Sequence, residues 1–463
     1  MNTNNDRSKL LGQAPVSKVI TKLAIPAIIG MLINAVYNFV DTMFVSWIGT
    51  EAMSAAQVGF PVFMIIVAFG QLFGIGGSSY VSRLLGQGNH EKANQTATVV
   101  YGTTLLSGIA IGACGLLCLH PLLNLFGASS ANLEYAIAYT SILFIGAIFI
   151  MGNMTLNNLL RAEGSSLVSM VGLILGAVLN IILDPLFIFV FDMGVGGAAL
   201  ATVLAQAVTT LFLLNTYRKG KSVLRISPRF FRPSKTIYWE TLKIGGPTLI
   251  RQLLASFAIG IMNRAASAYG TEAVAAIGIV SKVFMLGFYA LLGYTQGFLP
   301  VAGFNYGAEK YQRVLDSVRV GIRVSTLYCL VIFASFLLFA EPLIMIFKPD
   351  PIVADLAVKG LRIWALSFPV LGYSVIVNML FQAIGKGKEA AILSVSRQGI
   401  ILIPLLLILP SLFGLTGVLL AQPIADALTF LITIYFDSKV KKELRTSRDL
   451  TESEIHGLMK VAN

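Results

Sequence analysis

The stretch AIPAIIGMLINAVYNFVDTMFVSWIGTEAMSAAQVGFPVFM, residues 24–64, returns 221 positions later as GGPTLIRQLLASFAIGIMNRAASAYGTEAVAAIGIVSKVFM, residues 245–285. The shift pairs Pro26 with Pro247, Gly49-Thr50-Glu51-Ala52 with Gly270-Thr271-Glu272-Ala273, and Val62-Phe63-Met64 with Val283-Phe284-Met285. Further along, it pairs Gly86 with Gly307, Asn157 with Asn378, Ala162 and Gly164 with Ala383 and Gly385, and Gly196 with Gly417. An unbroken offset over about 170 residues marks an internal duplication.

The repeated unit is a lipid-embedded one. Of 463 residues, 56% are hydrophobic and 12% charged, about half the charge of a soluble domain, and mean hydropathy is +0.79. Apolar stretches run over 16–48, 52–82, 93–119, 131–160, 167–191 and 196–217, then over 242–268, 274–304, 317–347, 356–384, 391–412 and 416–437. Each is long enough to cross ~30 Å of hydrocarbon as a helix, and none alternates as a barrel strand does. The expectation is an all-α polytopic membrane protein of twelve transmembrane helices in two six-helix repeats. Six is even, so the repeats are parallel, as in alternating-access carriers.

Charge sets the orientation. RKGKSVLRISPRFFRPSK (218–235) holds seven Lys/Arg and no acid, and both ends of the chain are basic, whereas GTEAMS (49–54) and FDMGVGG (191–197) lack Lys and Arg. Both termini are thus expected in the cytoplasm. The net charge of +12 belongs to this asymmetry and not to nucleic-acid binding. The segments read as 1–15 cytoplasmic, 16–217 first lobe, 218–238 basic linker, 239–437 second lobe and 438–463 cytoplasmic tail. The polar N-terminus has no signal-peptide pattern. Cys114, Cys118 and Cys329 form no disulfide or metal pattern, and His90, His120 and His456 form no catalytic set. No enzyme is expected.

The halves differ in their acids. Asp41 pairs with Met262 under the shift, and Asp184 in LNIILDPLFIF (179–189) pairs with Leu405. Buried carboxylates are therefore expected in the first half alone. Asp41 lies eight residues before Gly49 and Asp184 eight before Asp192, each ~12 Å inside its helix end. Thr202 lies ~9 Å inside the next helix, and Asn180 is one turn from Asp184 on the same face. A carboxylate at the centre of a spanning helix costs ~2.5–3.5 kcal/mol, and no Lys or Arg of this half is deep enough to pair with either. Protonation or a bound cation remains. Hard cations take oxygen ligands, and Asp41, Asn180, Asp184 and Thr202 suit H⁺ or Na⁺. Pro185 has no N–H for the Ile181 carbonyl, an irregularity tolerated beside a cavity.

Asn34, Tyr37, Asn38 and Asp41 crowd two turns of the first helix, and Asn153 and Asn157 stand at i, i+4 in the fourth. Polar stripes in such helices face the bundle or a cavity. Gly70/Gly74, Gly108/Gly112 and Gly172/Gly176 are spaced for close helix packing. The second half offers Arg251, Gln252, Arg264, Lys282 and Arg397 within or near its helices.

YNFVD (37–41), GTEA (49–52), SRLLG (82–86), RAEG (161–164) and LNIILDP (179–185) resemble the multidrug and toxic compound extrusion (MATE) family over nearly the whole chain. The Asn…Asp-Pro element is similar to the DinF-like branch and its bacterial multidrug-exporting relatives. The glutamate that the NorM-like branch carries in helix 7 is absent from TLIRQLLASFAIG (248–260). The resemblance implies a prokaryotic inner-membrane antiporter that exports amphipathic, often cationic compounds against inward H⁺ or Na⁺. By that resemblance Asp41, Asn180, Asp184 and Thr202 form the cation site, Asn34, Tyr37, Asn153 and Asn157 line the drug cavity, and the first helix bends near Pro26. No cofactor other than the coupling ion is expected. The expected partners are small amphipathic molecules and the bilayer, and the protein is read as a monomer. A flippase for lipid-linked precursors stays open as an alternative, as does a channel or non-transporting receptor.

Overall fold

In lipid the backbone has no hydrogen-bond partner but itself, so long apolar runs must coil. The structure, a computed structural model, describes residues 3–128, 132–220 and 222–462, without the side chains of 3–6, 50 and 452–462. Lys221 and the side chains of Thr50 and His456 thus lie outside the described residues. Within the described residues every regular element is a helix.

Among the described residues nine helices are long and apolar enough to cross a membrane, and two further pairs, Leu133–Ile145 with Ala147–Ala162 and Pro351–Ala365 with Phe368–Ala383, are so when each is taken as one span bent by 50°. The last of the nine, Gly387–Thr451, is two spans, because Gly414 interrupts it at φ +58°, a conformation that glycine adopts without a Cβ penalty. The twelve spans expected from the sequence are accounted for. The two bends fall at Gly146 and at Ser367, which the 221-residue shift superimposes. Gly146 has poor helix propensity, and Pro369 at the start of the second limb lacks the N–H to continue the first.

Several boundaries differ from the apolar pattern, two of them where charged sequence joins a span. The seventh span starts at Lys235, and the last helix runs through the basic tail to Ala462. Helix-forming charged residues extend a helix into water. Pairs at i, i+4 such as Lys441 Nζ on Asp437 Oδ2 (2.6 Å) support it.

The chain divides into two units. Unit 1 comprises residues 1–8, 29–85 and 89–249, and unit 2 comprises 9–28, 86–88 and 250–463. The first and seventh spans are each split, a few residues after Pro26 and Pro247. In unit 1, a Cβ on Gly76 would run into the Thr241 carbonyl oxygen, and one on Gly245 into the Leu72 carbonyl oxygen. In unit 2, a Cβ on Gly297 would meet the Ala24 nitrogen at 2.5 Å, and one on Gly293 the Ile28 Cα at 2.5 Å. The 221-residue shift carries Gly76 onto Gly297 and Gly245 onto Ala24, so the same pair of helical segments meets in each unit, with the contacts displaced by one turn. Gly297→Val is expected to destabilise unit 2 by about 1–3 kcal/mol through overpacking against backbone; a thermal melt of the purified protein reads the loss.

Glu163, buried after the fourth span, ties down two connections of unit 1. It accepts from Arg7 Nη1 (2.8 Å), Ser165 Oγ (2.5 Å), Ser222 Oγ (2.6 Å) and the Leu224 amide (2.9 Å). Burial pushes its carboxyl above the usual range, while Arg7 and the other donors pull the opposite way. In unit 2, Phe284, Phe336, Trp364 and Phe368 pack edge-on and tilted at the centre of a large apolar core.

Candidate functional site

The fifth span begins as an α-helix, Ser166–Pro185, and continues as a π-helical turn, Leu186–Val190. Wide turns of this kind gather at functional positions. This one seats Ile188 against Val45 of the first span and Ala198 of the sixth. The polar groups of the three spans meet one turn before it. Asn180 Nδ2 donates to Asp184 Oδ1 (3.2 Å) and to Thr202 Oγ1 (3.2 Å). These three side chains are buried, Asp184 completely. The Asp41 carboxyl comes up against that of Asp184, and Tyr37 lines one cavity together with Asp41 and Thr202. Asp184 Oδ2 and Asn180 Oδ1 are nevertheless buried without a well-formed hydrogen bond. Among the described residues no Lys or Arg forms an ion pair with either acid. Two carboxylates and two neutral oxygen groups thus share one layer of unit 1 with no internal cation.

A cavity of about 150 Å³ opens on this layer, lined among others by Tyr37, Asn38, Asp41, Gln57, Tyr139 and Thr202. Its walls include Phe60 and Phe63, so it offers apolar surface beside acid. Tyr139, within electrostatic reach of Asp41, Asp184 and Tyr37, was not singled out from the sequence. It sits in an apolar run, and the bend at Gly146 that follows it is a tertiary property. Asn34 turns toward its own helix: its carbonyl and Oδ1 accept from Asn38 Nδ2 (2.7 and 3.1 Å).

Asn153 and Asn157 stand in a separate buried chain. Asn153 Nδ2 donates to Gln206 Oε1, Asn157 Nδ2 to Asn153 Oδ1 (2.6 Å), Ser169 Oγ to Asn157 Oδ1 (2.8 Å), and Arg161 Nη1 to Ser169 Oγ (2.9 Å). Gln206 was legible in principle, because it lies one turn beyond Thr202 on the same helix. Pro26 is half-buried, inside the helix Val16–Ile48.

The expectation of buried carboxylates in the first half alone is corrected. Asp426 and Asp437 in the last helix are each 2% exposed. Unlike Asp41 and Asp184, both are paired: Asp426 with Arg397 (2.6 Å) and Asp437 with Lys441 (2.6 Å) and Tyr373. The repeat shift compared Asp41 and Asp184 with their counterparts and so passed over acids that have no counterpart. Asp426→Ala leaves Arg397 without its carboxylate, and a loss of about 3–5 kcal/mol is expected; an Asp426→Leu, Arg397→Met double variant should recover most of it in the same melt.

The chain matches the MatE family over residues 26–186 and 247–408, once in each repeat. Among curated proteins, the multidrug export protein MepA of Staphylococcus aureus (strain NCTC 8325 / PS 47) is 30% identical over 424 residues, 90% of this chain and 92% of that protein. MepA of Staphylococcus saprophyticus is 29% identical over 91% of this chain and 94% of that protein. Among solved structures, a MATE protein in complex with MaL6 superimposes with a TM-score of 0.90 at 30% identity, covering 95% of this chain and 99% of the other. An outward-facing multidrug resistance MATE transporter of the MOP superfamily does so with 0.90 at 29%, covering 95% and 98%. A duplicated twelve-span chain that matches the family in both halves and shares its fold end to end belongs to the MatE family, the MATE transporters.

Proposed function

We propose that the protein is a secondary antiporter that exports amphipathic, often cationic organic compounds, driven by inward H⁺ or Na⁺. One observation carries the reading: Asp41 and Asp184 lie side by side in an apolar unit, and among the described residues no positive side chain is paired to either. Two like charges at such range cannot both persist in low dielectric, so a proton or a hard cation neutralises them. Asn180 Oδ1 and Asp184 Oδ2, buried and unpartnered, are free to accept that ion. An organic cation entering the cavity beside Asp41 competes for the same charge, and competition for one charge is what couples the two fluxes. The four oxygen-bearing groups Asp41, Asn180, Asp184 and Thr202 form the ion site, Tyr37, Asn34, Asn153 and Asn157 serve the substrate path, and Pro26 lets the first span bend as occupancy changes. The protein acts as a monomer in the inner membrane with both termini in the cytoplasm, and needs no cofactor beyond the ion.

The driving force suffices. One charge crossing ~100 mV yields ~2.3 kcal/mol and one pH unit ~1.4 kcal/mol. Together they hold a neutral substrate at a ratio of several hundred, roughly tenfold per 1.4 kcal/mol. Dye efflux from proteoliposomes, with the pH and Na⁺ gradients imposed one at a time, tests the proposal. Uphill efflux under at least one gradient is expected; efflux indifferent to both overturns antiport.

A further inference from the structure

The fifth and sixth spans of unit 1 close on each other through glycine. A Cβ on Gly172 would meet Leu213 Cδ2 at 2.9 Å, and one on Gly176 would meet Thr209 Oγ1 at 2.9 Å. Small residues let two helices approach this closely, and a trough is left beside the seam. It is a groove of about 530 Å³, walled by Leu175, Val208, Leu211 and Phe212 and ending on Asn215 and Arg218. Val208, Leu211, Asn215 and Arg218 follow at three- and four-residue spacing, so they share one face of the helix Gly194–Arg218. That face looks away from the packed interior of the unit: Leu211 is 64% exposed, and Val208, Asn215 and Arg218 are exposed as well. Val208 lies ten residues inside Arg218, ~15 Å along the helix. Leu175 lies nine residues inside Ser166, at the same end of the fifth span, ~14 Å along it. The groove therefore reaches about half-way through ~30 Å of hydrocarbon, the depth of a single leaflet.

The deep end of the groove is apolar and its mouth is not. The mouth carries an amide and a guanidinium, and among the described residues neither side chain has a hydrogen-bond or ion-pair partner. Lys219, the next residue, is exposed beside them, and no acid lines the groove. We propose that this groove seats one phospholipid with an anionic headgroup, an acyl chain lying along Leu175, Val208 and Leu211 and the phosphate held by Arg218 and Asn215. A guanidinium presents a planar fork that takes a phosphate in two parallel bonds, and the asparagine amide adds an N–H donor. Basic side chains at the lipid–water boundary favour anionic lipids, whereas a zwitterionic headgroup brings its own cation to a mouth that is already positive. The 221-residue shift carries Asn215 onto Phe436 and Arg218 onto Lys439. Phe436 packs edge-on against Phe381, so the polar mouth is not repeated in unit 2. The two helices that form the seat also bear Asn180, Asp184 and Thr202, but lipid binding does not depend on the antiporter reading.

Native mass spectrometry of the purified full-length protein tests it, with dioleoyl phosphatidylglycerol and dioleoyl phosphatidylcholine titrated in equal amounts from mixed micelles. Wild type is expected to retain a first phosphatidylglycerol in preference to phosphatidylcholine. Arg218→Gln is expected to weaken that phosphatidylglycerol about tenfold, the scale of a lost charge-assisted bond, and to leave phosphatidylcholine unchanged. Arg218→Lys, a point charge without the fork, falls between. Val208→Trp, which fills the groove from its exposed side, is expected to weaken both lipids while the protein melts as wild type does. Arg225→Gln is the control. Arg225 is an exposed arginine of the basic connection, its amide held by Asn94 Oδ1 (2.8 Å) at the third span, and its loss is expected to change neither lipid. No preference in wild type overturns the proposal, and so does an equal loss in Arg218→Gln and Arg225→Gln, which assigns the effect to the basic surface at large. Glycerophosphoglycerol, the same headgroup without chains, is expected not to compete; displacement by it makes the mouth a site for free phosphates and overturns the lipid. Displacement of the first phosphatidylglycerol by a cationic rhodamine dye makes the groove a substrate route and overturns it as well.

Discussion

Asp41→Asn is expected to collapse the substrate gradient that the protein sustains in vesicles from several hundredfold to about one. The amide keeps the shape and hydrogen-bonding capacity of the acid, so the first span keeps its seat beside the fifth and the protein should purify and melt normally. What it loses is the charge that the coupling ion and the organic cation exchange. Downhill leakage of dye through the variant should persist, because binding in the cavity also rests on Tyr37, Gln57 and the phenylalanine walls. The measurement is a paired one, uphill and downhill flux on one preparation. An Asp41→Asn variant that still concentrates substrate at the wild-type ratio would remove Asp41 from the mechanism.

Asp184→Asn is expected to make the protein blind to its coupling ion. Ligand that binds the folded state alone stabilises by about 2.7 kcal/mol at a hundred times its Kd. The wild-type melting temperature should therefore climb with Na⁺ concentration or with falling pH, according to which ion is used. In the variant it should stay flat. The reason is local: Asp184 Oδ1 already accepts from Asn180, and only Oδ2 is left for the ion. Asparagine offers an N–H or a neutral oxygen there. It also disturbs Asn180, whose Nδ2 bridges to Thr202 at 3.2 Å. A variant that tracks the ion as wild type does places the binding group elsewhere.

Much of this was legible in the sequence because membranes simplify the rules. Apolar run length gives spans directly, and the 221-residue repeat gives their grouping into halves. Depth along a helix is also a linear quantity, which is why Asp41, Asn180, Asp184 and Thr202 could be assigned to one layer before any coordinates. Azimuth is not linear. That Asn180 turns to Thr202, that Asp41 meets Asp184 and that Tyr139 faces them are products of packing between distant segments. Asn153 and Asn157 share the i, i+4 pattern of a cavity stripe, yet their partners Gln206 and Ser169 come from two other helices. Asp426 and Asp437 were passed over for a different reason. Each lies in a run that reads as apolar or as tail, and only the approach of Arg397 and Lys441 shows how each acid is held.

The split spans bear on how the chain is made. Residues 9–28 belong to unit 2 and residues 235–249 to unit 1, so neither repeat is a self-sufficient translation product. At ~5–20 residues per second, Ala24 and Ile28 wait roughly tens of seconds for Gly293 and Gly297 to emerge. Over that interval the early strip of helix must be sheltered by lipid or by the insertion machinery. Two half-chains cut in the 218–235 connection would each lack a strip that the other carries, and would assemble only by trading them.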